Sequence, residues 1–416
     1  MAPRQTLRAF LAKARSALTA PPSQRPAPLT FVVGNESADL DSLCSALLLA
    51  YFRTHDHGGC NALHIPLCHL PRADLALRPE FAAVLADAGA GTDDVITLDE
   101  LPARLEDLRP EDTRWLLVDH NALTGRLGKY GDRVVGCIDH HVDEGKVPRD
   151  GSEVRIVEKS GSCMSLVVNH CRAVWDALSS NTATQEEAGI DTQLAHLALG
   201  PLLIDTTNLS DTHKTTAHDE NAVELAENKL RGPISSSDLY DRSAFFARVS
   251  ALKEDISQMS FRDILRKDFK EWTEGAAASL KLGTSAMPQP FAYIIEKKAS
   301  IGGEGSFVEE LEKWSAEKGI DLVVVLNGFK NDGGEFQREL LVWGRDNEEA
   351  VKAAKAFAEA NAEKLQLRPW GNGKLDLDDG IKGWRRCWTQ GRLENSRKQI
   401  APMLRDALGE QTKIAN

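Results

Sequence analysis

The chain has 416 residues, of which 42% are hydrophobic and 27% are charged. This composition is typical of a folded globular protein and excludes a disordered or fibrous one. The formal net charge of −12 argues against a general nucleic-acid coat or a protein that binds anionic membranes, and no apolar run approaches the roughly 18 residues of a membrane helix. We therefore expect a soluble protein with no nucleic-acid and no membrane partner, long enough for two domains.

The first twenty residues form an amphipathic pattern that has two interpretations. They contain four basic residues and no acidic one, and they place Leu7, Phe10, Leu11 and Leu18 on one helical face. The pattern fits a mitochondrial presequence, but ordinary helix periodicity favours a helix that docks on the domain. Seven cysteines at irregular spacing, without a CxxC pair, indicate buried thiols in a reducing compartment. We predict a cytoplasmic protein, with mitochondria as the alternative.

In the first half of the chain, short apolar runs alternate with helical patterns. These runs are "LTFVVG", "ALHIPL", "DVITL", "RWLLVD" and "RVVGCID". The alternation predicts an α/β domain with a doubly wound, mainly parallel sheet covered by helices on both faces. A Gly-Pro pair and a serine run near residues 226–241 indicate a linker. We place the first domain at residues 1–230 and the second at residues 231–416.

The second half predicts a smaller α/β or α+β domain. Its strand candidates are "FAYIIEK", "IDLVVVLNGF" and "RELLVWG", and they are followed by the helical "EEAVKAAKAFAEANAEKL". A tail with several tryptophans and arginines completes the chain.

Polar side chains follow four apolar runs of the first half that we predict as strands. "FVVG" precedes Asn35, Asp39 and Asp41, "WLLV" precedes Asp119, His120 and Asn121, "VVGCI" precedes Asp139, His140 and His141, and "LGPLLI" precedes Asp205. Because ligands bind beyond the carboxyl ends of the strands in an open parallel sheet, we expect these four segments to converge on one crevice.

Four or five carboxylates in one crevice would repel one another unless cations neutralise them. Carboxylates with one or two imidazoles suit two divalent cations, Mg²⁺ or Mn²⁺. Two such ions about 3.5 to 4 Å apart support hydrolysis of phosphate esters or phosphoanhydrides. Taken singly, Asp41 or Asp205 is explained as a helix cap or turn residue, and His120 and Asn121 as loop polars. The four segments together favour the metal site.

The segments "GNESADLDS", "VDHN", "IDHH" and "IDTTNLSD" resemble, in order, the four motifs of the DHH phosphoesterase superfamily. The chain is most similar to the fungal-type exopolyphosphatases, whose relatives are the prune-type phosphatases and the family II inorganic pyrophosphatases. The tail "NSRKQIAPML" resembles the basic motif of the C-terminal domain in that group. The resemblance covers nearly the whole chain and implies an active site in a cleft between two domains.

The resemblance also implies a role for each motif residue. Asp39 would bind one metal ion, and Asp41 and His140 the other, while Asp119 and Asp205 would contact both. His141 would face the substrate phosphate. Asn35 occupies the place of a histidine ligand of the pyrophosphatases, and we count it with Asp119 and His141 as catalytic. This asparagine is our main evidence against a pyrophosphatase, and it makes the site harder in character.

Basic residues of the second half are implied to bind phosphate. The resemblance points to Arg397 and Lys398 of the tail motif and to Lys270 of "RKDFKEW". His213 and Lys214, after the fourth motif, either reach the substrate or lie on the loop surface. Four further arginines are candidates for the lining of a substrate channel: Arg368, Arg385, Arg386 and Arg392.

These patterns predict a monomeric exopolyphosphatase that removes terminal phosphate from linear inorganic polyphosphate by a two-metal mechanism. One alternative is a prune-like phosphatase that acts on short polyphosphates or nucleoside polyphosphates. Another is an inactive member of the family that serves as a binding or scaffold protein. The last alternative requires a broken ligand set, and Asn35 is the one departure that the motifs contain.

Overall fold

A computed structural model describes residues 4–56, 62–102, 108–180, 185–230, 240–274, 280–296, 306–380 and 382–414. The chain divides into two units, Met1–Lys253 and Glu254–Asn416. This division falls later than the predicted boundary at residue 230, because Phe245 and Val249 pack into the core of the first unit. Of the predicted linker at 226–241, residues 231–239 lie outside the described residues.

The first unit contains a parallel sheet of five strands among the described residues. The strands are β1 (Leu29–Val33), β2 (His64–Leu67), β3 (Thr113–Val118), β4 (Val134–Asp139) and β5 (Arg155–Val157). Their spatial order is β2-β1-β3-β4-β5. The helices of this unit are α1 (Leu7–Thr19), α2 (Leu40–His55), α3 (Pro79–Asp87), α4 (Cys163–Ser180), α5 (Gln185–Asp205), α6 (Ala217–Leu230) and α7 (Arg242–Glu254).

Both faces of this sheet are buried, as the apolar strand runs predict. Val32 and Leu116 point to one face, where they join a core formed with α2, α4 and α5. Their neighbours Phe31 and Trp115 point to the other face, where their rings stack with centroids 4.5 Å apart. The predicted doubly wound α/β architecture is confirmed.

Helix α1 docks on this domain, as its periodicity predicts. Its apolar stripe is fully buried, and the members of the stripe are Leu7, Phe10, Leu11, Ala14 and Leu18. Two of the basic residues near it form ion pairs with the domain, Arg4 with Asp191 at 2.6 Å and Arg15 with Glu100 at 2.6 Å. Across the described part of the chain, every helix is too short or too polar to span a bilayer.

Two strand predictions are wrong. "LGPLLI" lies inside α5, and this helix is buried on nearly all sides, so its sequence has no amphipathic period that distinguishes it from a strand. A Cβ on Gly200 would come within 2.8 Å of Val84, which shows how closely α5 approaches α3. "FAYIIEK" forms a short helix, Phe291–Glu296, that follows Pro290. "DVITL" contributes one isolated bridge, between Thr97 and Cys68.

The second unit is a mixed sheet of seven strands among the described residues. The strands are β6 (Phe269–Glu274), β7 (Leu280–Met287), β8 (Leu322–Lys330), β9 (Phe336–Arg345), β10 (Leu367–Pro369), β11 (Leu377–Asp378) and β12 (Gly383–Gln390). The spatial order is β10-β12-β9-β8-β7-β6, with β11 also beside β12. The helices are α8 (Phe261–Lys267), α9 (Phe291–Glu296), α10 (Phe307–Lys318), α11 (Glu348–Leu365) and α12 (Arg397–Ile414). Among the strands that the structure describes in this unit, only β7 and β8 pair in parallel, so the unit is an α+β domain.

Candidate active site

The carboxyl ends of three neighbouring strands meet at one edge of the first sheet. Val33 of β1 pairs with Leu117 of β3, and Val118 of β3 pairs with Ile138 of β4. The chain leaves β1 toward β2 on one side, whereas β3 lies on the other side. This change of direction is the topological switch point at which open α/β sheets bind ligands.

Close packing at the end of β1 brings Asn35 to the start of α2. A Cβ on Gly34 would lie 2.6 Å from the Cβ of Ser42, so only glycine fits there. The Asn35 side-chain amide donates to Oδ2 of Asp119 at 2.8 Å, and the Ser42 hydroxyl donates to the same oxygen at 2.7 Å. Asn35 therefore acts on Asp119 through its N–H group, and its own Oδ1 accepts from Ser37.

Asp119 offers one oxygen to a ligand. With Oδ2 occupied, Oδ1 remains, and it lies 3.1 Å from Nε2 of His140 and 3.6 Å from Nδ1 of His141. Ligand atoms of these three residues lie within 4.8 Å of one another. The carboxylate is buried, and its backbone has a φ of 61°, a left-handed conformation that is uncommon for residues other than glycine and often occurs at functional sites.

The orientation of His140 is set by a backbone carbonyl. Its Nδ1 lies 3.1 Å from the carbonyl oxygen of Ser160, and since a carbonyl only accepts, Nδ1 carries the proton. In the neutral ring, Nε2 then presents a lone pair toward the Oδ1 of Asp119. Two lone pairs at 3.1 Å repel unless a second proton or a cation lies near them.

Asp139 and Asn121 hold the second histidine. Oδ1 of Asp139 accepts from the backbone N–H groups of His140 and His141 and lies 2.8 Å from Nδ1 of His141. Asn121 donates to the other Asp139 oxygen at 2.6 Å. The side chain of His141 is 27% exposed, so its Nε2 edge is accessible. Asn121 is therefore a buried structural residue and not an ordinary loop polar.

The two aspartates of "ADLDS" have different surroundings. Asp39 is the N-cap of α2 and accepts from the backbone N–H of Ser42 at 3.0 Å. The interpretation of Asp41 as this cap is wrong. Asp41 instead accepts from the start of α4, from the backbone N–H groups of Cys163 at 2.6 Å and Met164 at 2.9 Å.

The carboxylates act on one another. Burial raises the pKa of Asp39, and the negative charges of Asp119 and Asp205 raise it further. The same three causes, in the same order, hold the pKa of Asp41 well above its ordinary value. For Asp119, burial opposes ionisation, but the contact with the His140 ring and the charge of His141 outweigh it and lower the pKa. The four predicted carboxylates therefore belong to one electrostatic cluster.

The fourth motif begins at a helix end and not at a strand end. Asp205 is the last residue of α5, and the next turn contains three consecutive left-handed residues, Thr207, Asn208 and Leu209, with φ values of 51°, 56° and 64°. His213 is exposed beyond this turn, and its backbone N–H donates to Asp211. Its predicted contact with substrate stays a prediction.

The predicted phosphate residues of the second unit lie near the start of β6. Arg397, the first residue of α12, donates to the carbonyl and the carboxylate of Asp268, at 2.9 and 2.7 Å. Lys270 is half-buried two residues further along, in β6, and Lys398 is exposed. The second sheet therefore brings Arg397 close to the segment that carries Lys270.

Comparison with known proteins defines the family. Residues 30–200 match the N-terminal domain of the DHH family, and residues 247–407 match the DHHA2 domain. A Schizosaccharomyces pombe protein, provisionally named an exopolyphosphatase, is 32% identical over 413 residues, which cover 97% of this chain and 96% of the relative. The chain belongs to the DHH family.

Other relatives of this DHH protein are more distant. The exopolyphosphatase PRUNE1 of Rattus norvegicus is 25% identical, over 96% of this chain and 78% of PRUNE1, and the Homo sapiens PRUNE1 is 25% identical over 92% and 77%. A Methanococcus jannaschii structure, provisionally described as a family II inorganic pyrophosphatase, superposes with a TM-score of 0.55 at 19% identity, covering 91% of this chain and 99% of that one. This likeness confirms the fold.

In the DHHA2 domain, two of the predicted channel arginines are engaged within their own sheet. Arg385 is buried and donates to the carbonyl of Leu375. Arg386 donates to the carbonyl of Leu377 and lies 3.4 Å from a carboxylate oxygen of Asp378. Arg368 and Arg392 are exposed.

The motif analysis missed Asp219, a buried residue of the DHH domain. Its carboxylate accepts from the backbone N–H groups of Gly161 and Ser162 and from Thr216. Those contacts hold the loop that supplies the carbonyl of Ser160 to His140. No sequence signal links Asp219 to the site, because "TTAHDE" is an ordinary helix start and its partners in the loop, Gly161 and Ser162, lie more than fifty residues earlier.

Proposed function

We propose that this DHH protein is an exopolyphosphatase that releases terminal phosphate from linear inorganic polyphosphate. The observation that carries the proposal is the approach of Asp119 Oδ1 to two imidazoles at the switch point of the sheet. The charges of Asp119 and Asp205 also raise the pKa of Asp39 and of Asp41, so these carboxylates surround the same place. The relatives named as exopolyphosphatases support the substrate.

The donor set fits divalent cations. Oδ1 of Asp119 and Nε2 of neutral His140 both present lone pairs to the same place. A bound cation would accept both lone pairs and remove the repulsion between them. We assign Asp39 to one ion, Asp41 and His140 to the other, and Asp119 and Asp205 to both. Oxygen-rich ligands favour Mg²⁺ or Mn²⁺. When bound, two such ions would polarise the phosphoryl group and acidify a water molecule.

His141 is the candidate for contact with the terminal phosphate of the substrate. Asp139 holds its Nδ1, so the ring presents its Nε2 edge outward. A ring fixed in this way can contact a phosphate oxygen as negative charge develops there. Asn35 completes the arrangement by holding Oδ2 of Asp119. We assign Lys270, His213, Arg397 and Lys398 to further phosphate oxygens.

A phosphate-release assay tests the proposal. The substrates are long-chain polyphosphate, pyrophosphate and a nucleoside tetraphosphate, each with Mg²⁺ or Mn²⁺. We expect release from long chains to dominate. Activity confined to the shortest substrates would favour a prune-like phosphatase, and no activity on any of them would favour a scaffold protein.

The variant Asp119→Asn tests the site. The substitution replaces the charged Oδ1 by an amide nitrogen or a neutral oxygen. Loss of a residue that only supports a metal ligand lowers activity about 10- to 100-fold. Because Asp119 is assigned as a ligand itself, we expect kcat to fall more than about a hundredfold. The matched control is Asp132→Asn, which changes an exposed aspartate of the same domain. Circular dichroism checks the fold of both variants, and an active Asp119→Asn protein contradicts the assignment.

A further inference from the structure

Arg78 is a buried cation beside the loop that connects β1 to α2, and the motif analysis did not single it out. The residue is 6% exposed. Its Nη2 donates to the carbonyl oxygen of Ser37 at 2.7 Å, and its Nε donates to the carbonyl oxygen of Ala38 at 2.9 Å. The third bond that the structure describes, from Nη1 to the carbonyl of Leu77, stays within its own turn. Buried arginines ordinarily pair with carboxylates, whereas the bonds described for Arg78 all end on backbone carbonyls.

The backbone of Arg78 is fixed on both sides, so its guanidinium projects from a rigid base. The N–H of Arg78 donates to the carbonyl of Leu75 at 3.0 Å, and its carbonyl accepts from the N–H groups of Phe81 and Ala82. Pro79 follows as the first residue of α3, and a proline restricts the backbone of the residue before it. The N–H groups of a guanidinium form a planar fork. One side chain can therefore hold two neighbouring carbonyls at once.

The two carbonyls that Arg78 holds belong to the peptide groups on either side of Ala38. Because a peptide group is planar, the direction of its carbonyl fixes the whole group. Two fixed groups in turn define the backbone angles of the residue between them. Ala38 has a φ of 45°, a left-handed conformation that is unfavourable for a residue with a Cβ. Arg78 thus stabilises a conformation that alanine does not readily adopt by itself.

This loop carries residues of the candidate active site at both of its ends. Asn35 lies at the start, where its Oδ1 accepts from Ser37 and its backbone carbonyl accepts from the N–H of Ala38 at 3.1 Å. Asp39 lies at the end, directly after Ala38, and caps α2. The backbone angles of Ala38 therefore set the direction in which the chain enters Asp39.

We propose that Arg78 is a positioning residue that sets the metal affinity of the site, because it holds Asp39 in place through the carbonyls of Ser37 and Ala38. This inference rests on the metal ligands assigned in the proposed function. Residues that orient a metal ligand contribute about 10- to 100-fold to the affinity. Replacement of Arg78 should loosen the chain before Asp39 while every assigned ligand stays present.

Arg78→Gln and Arg72→Gln form a matched pair for the test. Arg72 lies in the same segment, and its guanidinium also donates to two backbone carbonyls, those of Thr92 at 3.0 Å and Val95 at 2.7 Å, and pairs with Glu100. We expect Arg78→Gln to bind Mn²⁺ about 10- to 100-fold more weakly than the unmodified protein, and Arg72→Gln to bind it as tightly. Arg78→Lys, which keeps the charge without the fork, should have an intermediate affinity. Isothermal titration calorimetry of the metal-free proteins measures all three.

A second readout needs no metal ion. In the metal-free unmodified protein, amide hydrogen exchange should be slow at Ala38 and Leu43, whose N–H groups donate to the carbonyls of Asn35 and Asp39 at 3.1 and 3.0 Å. In Arg78→Lys, exchange should become faster in this loop and stay unchanged in β3. Arg78→Lys and this measurement decide the question if Arg78→Gln does not fold.

Two results would overturn the role of Arg78. One is fast exchange of the loop in the unmodified protein, and the other is an equal Mn²⁺ affinity of Arg78→Gln and Arg72→Gln. Inactivity on every polyphosphate together with normal Mn²⁺ binding would refute the proposed function alone. Absence of Mn²⁺ binding to the unmodified protein would refute both the proposed metal site and the role of Arg78.

Discussion

The two oxygens of Asp119 have different tasks. Asn35 and Ser42 donate to Oδ2, whereas Oδ1 faces the imidazoles. The left-handed backbone at this residue turns the carboxylate toward His140, and the surrounding hydrogen bonds hold a conformation that is costly in isolation. Asn35 thus belongs to the site as a support of the carboxylate. The resemblance places Asn35 where the pyrophosphatases have a metal-binding histidine. The contact with Asp119 is compatible with this, because asparagine at that position forms a hydrogen bond to a neighbouring carboxylate in place of a bond to the metal.

Asp219 provides the first prediction at this scale. We expect Asp219→Asn to lower the affinity for Mn²⁺ by 10- to 100-fold, because the amide cannot accept from Gly161, Ser162 and Thr216 together, and the loop that orients His140 loosens. Isothermal titration calorimetry measures the affinity. Glu220→Gln, at the exposed neighbouring position, should bind Mn²⁺ as the unmodified protein does. Equal affinities for the two variants would show that Asp219 does not position the site.

His64 gives a prediction about pH and stability. Burial, followed by the charge of Arg53, lowers its pKa from 6.5 to about 4. Above pH 6.5 the histidine is neutral in both the folded and unfolded states. As the pH falls from 6.5 to 4, the unfolded chain takes up a proton that the folded chain refuses, so the free energy of unfolding falls. A shift of this size corresponds to at most about 3 kcal/mol.

The variant His64→Asn isolates this contribution. An asparagine amide can still donate to the carbonyl of Ala62, as the Nδ1–H of His64 does, but it does not titrate. Urea unfolding between pH 4 and 8 should therefore show a shallower loss of stability in the variant, with parallel curves above pH 7. Identical slopes below pH 6.5 would contradict the expected role of His64.

At the scale of elements, the start of α2 supplies carboxylates to two helix N-termini, its own and that of α4. Asp39 caps α2, whereas Asp41, two residues later, accepts from the first residues of α4. A carboxylate is favourable at each helix N-terminus because the unpaired N–H groups and the helix dipole are positive there. The same arrangement places both aspartates beside Asp119. Helix capping and metal binding are therefore compatible explanations of the pattern, and each residue can serve both.

Helix α1 supplies the prediction at this scale. Phe10 is fully buried and contacts the ring of Tyr51 edge-on at 5.5 Å. We expect Phe10→Ala to lower the free energy of unfolding by about 3 to 5 kcal/mol, through lost burial and the cavity left behind. Lys13→Ala, on the exposed face of the same helix, should change it by less than about 0.5 kcal/mol. Urea unfolding measures both, and equal stabilities would show that α1 contributes nothing to the domain.

At the scale of the whole molecule, Asp39 and Asp41 oppose folding at neutral pH in the metal-free state. Because the pKa values of Asp39 and Asp41 are raised in the folded protein, the folded state binds more protons than the unfolded one. Stability therefore falls as the pH rises through those values. Bound cations would remove this penalty, and protons would compete with them at low pH.

Added Mn²⁺ should therefore stabilise the protein in a pH-dependent way. At a hundredfold excess over Kd, linkage gives about 2.7 kcal/mol, which corresponds to a rise in Tm of roughly 5 to 10 °C for the first unit. We expect this rise in Tm at pH 7.5 and a much smaller rise at pH 5. Differential scanning calorimetry measures both. Ca²⁺-free buffer with EDTA provides the baseline. A Tm shift that is equal at both pH values would contradict the competition between protons and metal.

The sequence alone determined the class of the first sheet and the segments of its site. Continuous apolar runs such as "LTFVVG" and "RWLLVD" identify strands buried on both faces, and the polar residues after them mark the carboxyl edge. It also favoured a docked α1 over a presequence, because Leu7, Phe10 and Leu11 recur at helical spacing. These features are local, so a window of neighbouring residues contains the information. Helix α5, whose run "LGPLLI" is largely buried, escaped the same rule because its apolar run has no period.

Only the tertiary structure decided how the individual atoms are used. It showed that Asp39 and not Asp41 caps α2, that Asn35 donates to Asp119, and that Asp219 holds the loop beside His140. Each of these facts depends on hydrogen bonds, some between residues more than fifty positions apart. Whether an aspartate caps its own helix or contacts another one depends on which N–H group the fold brings within about 3 Å of its oxygens. Chain order does not encode that distance, because it arises when the sheet edges and helix ends pack together.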